Sequence, residues 1–150
     1  MTITNVNEAV GIVRAARGEH MPVAISFTVE TDGRLPTGET LKDAVMAVDR
    51  KTDAAPVYYM INCAHPSHFG QSLDGGEWVR RIRGVRANAS RCSHAELDEA
   101  VELDDGNPAE LGAQYRELRR RHPHINVLGG CCGTDHRHIL EIATAFHEMA

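Results

Sequence analysis

Apolar and polar positions follow two periods along this chain, and the two take turns. Val6, Ala9, Val10 and Val13 recur at three and four residues, the spacing of one helical face. Asn5 and Glu8 read as a capping box at the start of that segment, and Gly18 as its stop. Residues 22–29 then read as a buried strand: Val23, Ala24, Ile25 and Phe27 are apolar, with Ser26 and Thr28 interleaved. A loop rich in Asp, Gly and Pro covers 30–38. Thr37 is placed to cap the next helix, whose apolar face is Leu41, Ala44, Val45 and Val48.

The alternation continues. Residues 57–62 form a near-continuous apolar run, as in a parallel strand covered on both faces, and the run ends at Cys63. A polar segment with His65, Pro66, His68 and Gly70 follows, and Trp78, Val79 and Ile82 anchor a short helix. Residues 85–89 make a third strand. Ser93 and Glu96 form another capping box, opening a short helix inside a long loop. Asn107, Pro108 and Glu110 combine a cap, a first-position proline and a third-position glutamate. Leu111, Tyr115 and Leu118 are the buried face of that helix, with Pro123 just past its end. Residues 125–128 give the fourth strand, and Ile139, Ile142, Ala143 and Phe146 the core stripe of the last helix. One helix followed by four strand–helix units predicts an α/β fold with a parallel sheet and right-handed crossovers.

Composition narrows the function classes. A chain of 150 residues is one domain's worth, long enough for a real core. Its net charge of −5 argues against a nucleic-acid surface, which needs a basic patch. The basic run Arg119, Arg120 and Arg121 reads as the cationic end of a helix, complementing its dipole. No apolar run approaches membrane-spanning length, and the N-terminal apolar residues are spaced rather than contiguous, so no membrane and no signal core is expected. Four cysteines without a disulfide framework suit a reducing cytosol, and the chain is expected to be cytoplasmic.

Candidate chemistry concentrates at 129–134, Gly-Gly-Cys-Cys-Gly-Thr, between the fourth strand and the last helix. Adjacent cysteines do not easily bridge to each other, because a relaxed disulfide needs a specific Cα separation and torsion. They can point two thiolates at one soft metal, and the flanking glycines permit the tight backbone this needs. The N-terminus of the following helix is expected to favour the thiolate form of both sulfurs. Cys63 is the leading candidate for a further ligand, since it also lies at a strand C-terminal end, where parallel α/β folds build their sites. Three thiolates would hold Zn²⁺ and leave the fourth tetrahedral position open, as catalytic zinc sites do. The bland alternative is that Cys131 and Cys132 are small buried hydrophobes. Cys92 reads as a spare thiol, and the absence of Cys-x-x-Cys argues against a redox protein. His138 is placed to support the double-cysteine turn, His65 and His68 to line a pocket or stay solvated, and Ser26, Thr28 and Glu30 lie on the same predicted rim without an assigned role.

The Gly-Gly-Cys-Cys-Gly-Thr motif, the helix after it carrying His138 and Ile139, and the upstream Ile61, Asn62 and Cys63 together resemble the zinc-dependent homocysteine S-methyltransferase family. Ser26 and Phe27, followed by Asp32, Gly33 and the stretch 34–39, stand at the matching upstream place, so the resemblance runs along nearly the whole chain. One departure is His136, where the family often has proline. The resemblance implies metal ligands Cys63, Cys131 and Cys132, a Zn²⁺ cofactor, and methyl transfer to homocysteine giving methionine. The donor it implies is S-methylmethionine, S-adenosylmethionine, betaine or a methylfolate. Few aromatics are available for the cage that betaine needs.

A complete (β/α)8 TIM-type barrel takes roughly 250 residues. The resemblance therefore implies that 1–150 form the second, C-terminal half of such a barrel, with the N-terminal half and its homocysteine-gripping residues absent. Self-association or a complementary N-terminal half is then expected as partner. A non-enzymatic zinc-binding half-domain is the alternative.

Overall fold

A computed structural model describes residues 2–73 and 75–147. Helix α1 (Val6–Gly18) is capped by Asn5, whose side chain accepts from the Glu8 N–H. Strand β1 (Ala24–Thr28) leads to α2 (Leu41–Thr52), then β2 (Tyr58–Asn62) and the single-turn α3 (Pro66–Phe69). A 3₁₀ turn (Glu77–Arg81) runs straight into β3 (Ile82–Ala87). Helices α4 (His94–Glu99) and α5 (Pro108–Arg121), strand β4 (Val127–Gly130) and α6 (His136–His147) complete the order.

The sheet is four-stranded and parallel throughout, in the order β1-β2-β3-β4. Neighbours in sequence are neighbours in space, and residues of the connecting helices share one core with one face of the sheet. The alternating set Ile25, Phe27, Tyr59, Ile61 and Val85 packs under them, against Val45, Val48, Leu111 and Tyr115 among others. The other face carries Ser26, Tyr58, Met60 and Arg86, which are half-buried or exposed. This α/β sheet is not closed, and its order is that of part of a TIM-type barrel. The outer edge of β1 is touched at one point, where Ile3 bridges to Phe27.

Several expected boundaries move. Thr40, not Thr37, caps α2: its hydroxyl accepts from the Asp43 N–H at 3.1 Å, while Thr37 donates to the Thr4 carbonyl. Ile82 belongs to β3 rather than to a helix, because its backbone pairs with Tyr59. That strand ends at Ala87; the N–H groups of Asn88 and Ala89 leave the ladder for the carbonyls of Ala64 and Cys132. The fourth strand starts later than Ile125 and takes in Gly129 and Gly130, which pair with Arg86 and Ala87. Backbone pairing overrides the poor strand preference of glycine there.

Helix α6 is rotated from its expected stripe. His138, Ile142 and Ala145 are its buried residues, and Ile139 is 45% exposed. Ile139, Ala143 and Phe146 instead line a cavity of about 260 Å³ with Leu128 and Gly129, beside the free edge of β4. Phe146 lies under the Arg119 guanidinium, 3.5 Å from ring centre to charge. Arg119, Arg120 and Arg121 occupy the last turn of α5, as expected. Among the described residues no helix is long and apolar enough to cross a membrane.

Candidate metal centre

Strand alternation alone does not bring the cysteines together. Cys131 continues the open-face set Val127 and Gly129, whereas Cys63 continues the helix-facing set Tyr59 and Ile61. The strands that carry them are also two apart, which is roughly 9.5 Å of sheet width. The backbone of Cys63 resolves the conflict. Its φ of +52° is left-handed, a conformation that non-glycine residues adopt at a cost of about 1–3 kcal/mol and chiefly at functional positions. That turn breaks the alternation and sends the sulfur across the end of β3.

The result is a cluster in which the sulfurs of Cys63, Cys131 and Cys132 all lie within 4.8 Å of one another. Zn–S bonds of about 2.3 Å in tetrahedral geometry put sulfurs about 3.8 Å apart, so small rotamer adjustments suffice. Three soft donors on one point are the chemistry zinc prefers. Cys63 and Cys131 are half-buried and Cys132 is exposed, so none behaves as a buried apolar filler.

Each cysteine is held by its backbone. The Cys63 N–H donates to the Arg86 carbonyl at 3.1 Å, and the Cys131 N–H to the Ala87 carbonyl at 2.8 Å. The Cys132 N–H donates to Asn88 Oδ1 at 3.2 Å, and its carbonyl accepts from the Ala89 N–H. The Thr134 hydroxyl and N–H both donate to the Cys131 carbonyl. Gly133, at φ +75°, is needed where it stands: an added Cβ would lie 2.7 Å from the Asp104 carbonyl oxygen. Below the site, the Tyr115 hydroxyl accepts from the Ala87 N–H at 3.0 Å and donates to the Gly129 carbonyl at 2.6 Å, joining β3 to β4.

The proton distribution differs from expectation at Cys131. A hydrogen bond from the Cys131 thiol pulls Cys63 down to about 5, and Cys131 is pushed up because Cys63 beside it takes the negative charge. Adjacent thiols share a proton before a helix terminus can favour both thiolates.

Other singled-out residues support rather than join the cluster. His138 is fully buried; it accepts at Nδ1 from the Asp135 N–H and donates from Nε2 to the Asp105 carbonyl, tying the double-cysteine turn to the long loop. His65 caps α3 through Nδ1, and burial, with Arg91 and His68 nearby, lowers its pKa to about 4. His68 donates to the Arg91 carbonyl. Ser26 donates to Asn62 Oδ1 at 2.5 Å and Thr28 to the Asn62 carbonyl, so both fix the residue before Cys63. Cys92 is exposed and stands outside the cluster, 3.8 Å from the Asp104 carboxylate.

Two residues went unseen in the sequence. Asn88 fell inside the expected third strand, and His94 between the capping residues Ser93 and Glu96, neither singled out by a pattern. His94 Nε2 donates to the Cys63 carbonyl at 2.6 Å, and Nδ1 lies 3.2 Å from both Glu30 oxygens. Partial burial opposes the charged ring, but the Cys63 carbonyl and Glu30 outweigh it, and the pKa is raised.

A family model described as homocysteine S-methyltransferase matches residues 1–146. The chain belongs to the homocysteine S-methyltransferase family. Among curated relatives, a methionine synthase of Mycobacterium leprae (strain TN) is 28% identical over 138 residues, which cover 85% of this chain and 10% of that protein. The chain thus spans about a tenth of the length of the curated relative it matches. The three clustered cysteines are those that the double-cysteine motif and the upstream strand end pointed to, now within one homocysteine S-methyltransferase match.

Proposed function

We propose that this chain carries the zinc centre of a homocysteine S-methyltransferase, at which the thiol of homocysteine is methylated to give methionine. The observation that carries the reading is the convergence of Cys63, Cys131 and Cys132 at the strand ends of a chain in this family. When bound, Zn²⁺ held by three thiolates leaves one position for a thiol and favours its deprotonated, nucleophilic form.

The chain's own residues set the surroundings. Cys132, the exposed ligand, forms one wall of a cavity of about 380 Å³ lined also by Asp98 of α4 and by Glu102 and Asp104 of the loop after it. Those carboxylates favour a cationic group beside the cluster. In the transfer, the donor–methyl bond breaks with its electron pair going to the donor, the sulfur–methyl bond forms, and the thiol proton leaves to solvent. Among the described residues no Phe, Tyr or Trp lines this cavity, which favours a sulfonium donor, S-methylmethionine or S-adenosylmethionine, over the quaternary ammonium of betaine. Three cysteines that serve as metal ligands rather than as disulfide partners fit a cytoplasmic setting.

A second reading is a zinc-binding half-domain without activity of its own. The open sheet favours it, because the face bearing Ser26, Met60 and Arg86 has no opposing layer among the described residues. On that reading a second copy or a complementary N-terminal half supplies the groups that orient homocysteine.

The test has two parts. Purified reduced protein should hold about one zinc per chain; Cys132→Ser should release it and Cys92→Ser should not. Full zinc occupancy in Cys132→Ser removes the proposed site. Methionine formation from homocysteine and S-methylmethionine, measured with and without a chain supplying the complementary strands, then separates the readings. Turnover only in the mixture favours the half-domain, and turnover by this chain alone favours the enzyme.

A further inference from the structure

Cys63 reaches its neighbours only because its backbone is left-handed, so whatever holds that conformation decides whether the cluster forms. Two peptide planes flank the residue. The preceding one is anchored twice, by the Cys63 N–H on the Arg86 carbonyl and by Asn62, whose side chain is bonded to Ser26, Thr28 and Thr2. The following plane, whose carbonyl belongs to Cys63, receives the 2.6 Å bond from His94 Nε2. That histidine comes from the segment after β3, as the first residue of α4, and the helix start is fixed by the reciprocal Ser93 and Glu96 capping bonds. Its other ring nitrogen lies against Glu30, just beyond β1. The imidazole thus joins the ends of β1 and β2 and meets the one backbone carbonyl whose orientation sets the direction of Cys63.

We propose that His94, steadied by Glu30, is a positioning residue for the metal centre: it pins the Cys63 peptide so that the Cys63 sulfur faces Cys131 and Cys132. The inference rests on the zinc site proposed above. His94 does not ligate the metal. Without its hydrogen bond, the 63–64 peptide is free to rotate and relieve the left-handed strain, and relief of that strain returns the Cys63 side chain toward the helix-covered side of the sheet. Outer partners of metal ligands typically contribute about 10–100-fold in affinity by such orientation.

The experiment compares the unaltered chain with His94→Ala and His94→Gln, using Co²⁺ and Zn²⁺ as probes. Zinc affinity is read by competition with a chromophoric chelator, and the ligand set by the thiolate-to-Co²⁺ charge-transfer band. His94→Ala should bind zinc about 10–100-fold more weakly and lose about a third of the band, the share of one thiolate in three. His94→Gln can still donate to the Cys63 carbonyl and should recover most of both. Circular dichroism and urea unfolding of the metal-free variants check the fold, and a general structural defect would weaken folding without removing one thiolate from the Co²⁺ spectrum. If His94→Ala keeps the full band and the full affinity, the positioning role is wrong while the zinc site stands. If the unaltered chain shows no thiolate band that depends on Cys132, the zinc site itself fails and this role falls with it.

Discussion

At the scale of single residues, the site depends on backbone states more than on residue types. Cys63 is a β-strand terminus by pattern and a left-handed residue in fact, and only the second property places its sulfur. His65, two residues on, shows how the rim is tuned. Its Nδ1 accepts from the Ser67 N–H at 3.3 Å and from the hydroxyl at 2.8 Å, so the neutral ring caps α3. With a folded pKa of about 4 against 6.5 in the unfolded chain, the unfolded state binds more protons between those values. Stability from this group is therefore full above pH 6.5 and is lost as pH falls toward 4. Metal-free protein should lose on the order of 1 kcal/mol through His65 between pH 7.5 and pH 5, after discount for solvation. His65→Asn, which preserves a capping acceptor, should lose that much less over the same interval in urea unfolding. Equal losses would mean that His65 titrates alike folded and unfolded.

At the scale of elements, the β4–α6 connection is the part most tightly fitted to its surroundings. Gly130 and Gly133 flank the cysteine pair, Gly129 stands just before Gly130, and Gly129 and Gly133 are not equivalent. At Gly129 an added Cβ would meet Arg86 Cγ at 3.6 Å, an ordinary contact. At Gly133 the left-handed φ and the Asp104 carbonyl together forbid a side chain. Gly133→Ala should destabilise the metal-free protein by at least 1–2 kcal/mol, roughly the left-handed penalty alone, and weaken zinc retention. Gly129→Ala should do markedly less of both. Equal behaviour of the two variants in thermal unfolding and chelator competition would show that the turn is not held as described. The same fit explains the displaced strand boundary. Gly129 and Gly130 join β4 because Arg86, Ala87 and Tyr115 offer partners to their backbone, a tertiary reward that residue preference does not contain.

At the scale of the whole molecule, the open edge is the dominant feature. β4 is the last strand of the sheet among the described residues, and Val127 stands on it 37% exposed. Beside that edge lies the apolar cavity lined by Ile139, Ala143 and Phe146. Unpaired parallel edges with apolar flanks invite pairing. Light scattering of the purified chain should show mass rising with concentration, and Val127→Lys should shift it toward the monomer while leaving zinc affinity unchanged. A monodisperse monomer at high concentration would count against the half-domain reading and favour a self-sufficient sheet.

The sequence by itself determined the succession of elements, because apolar periods of two and 3.6 residues are local signals and the caps at Asn5, Ser93 and Asn107 are written beside them. It also marked Cys63, Cys131 and Cys132, because two adjacent thiols between glycines at a strand end leave few other uses. What it did not contain was the means by which they meet. The His94 bond to the Cys63 carbonyl and the Asn88 bond to Cys132 join positions 31 and 44 residues apart. The rotation of α6 likewise goes with the bond of His138 to the Asp105 carbonyl, 33 residues away. These were decided only by tertiary structure, because a hydrogen bond between distant segments depends on the register of the sheet that carries both ends, and no local pattern encodes that register.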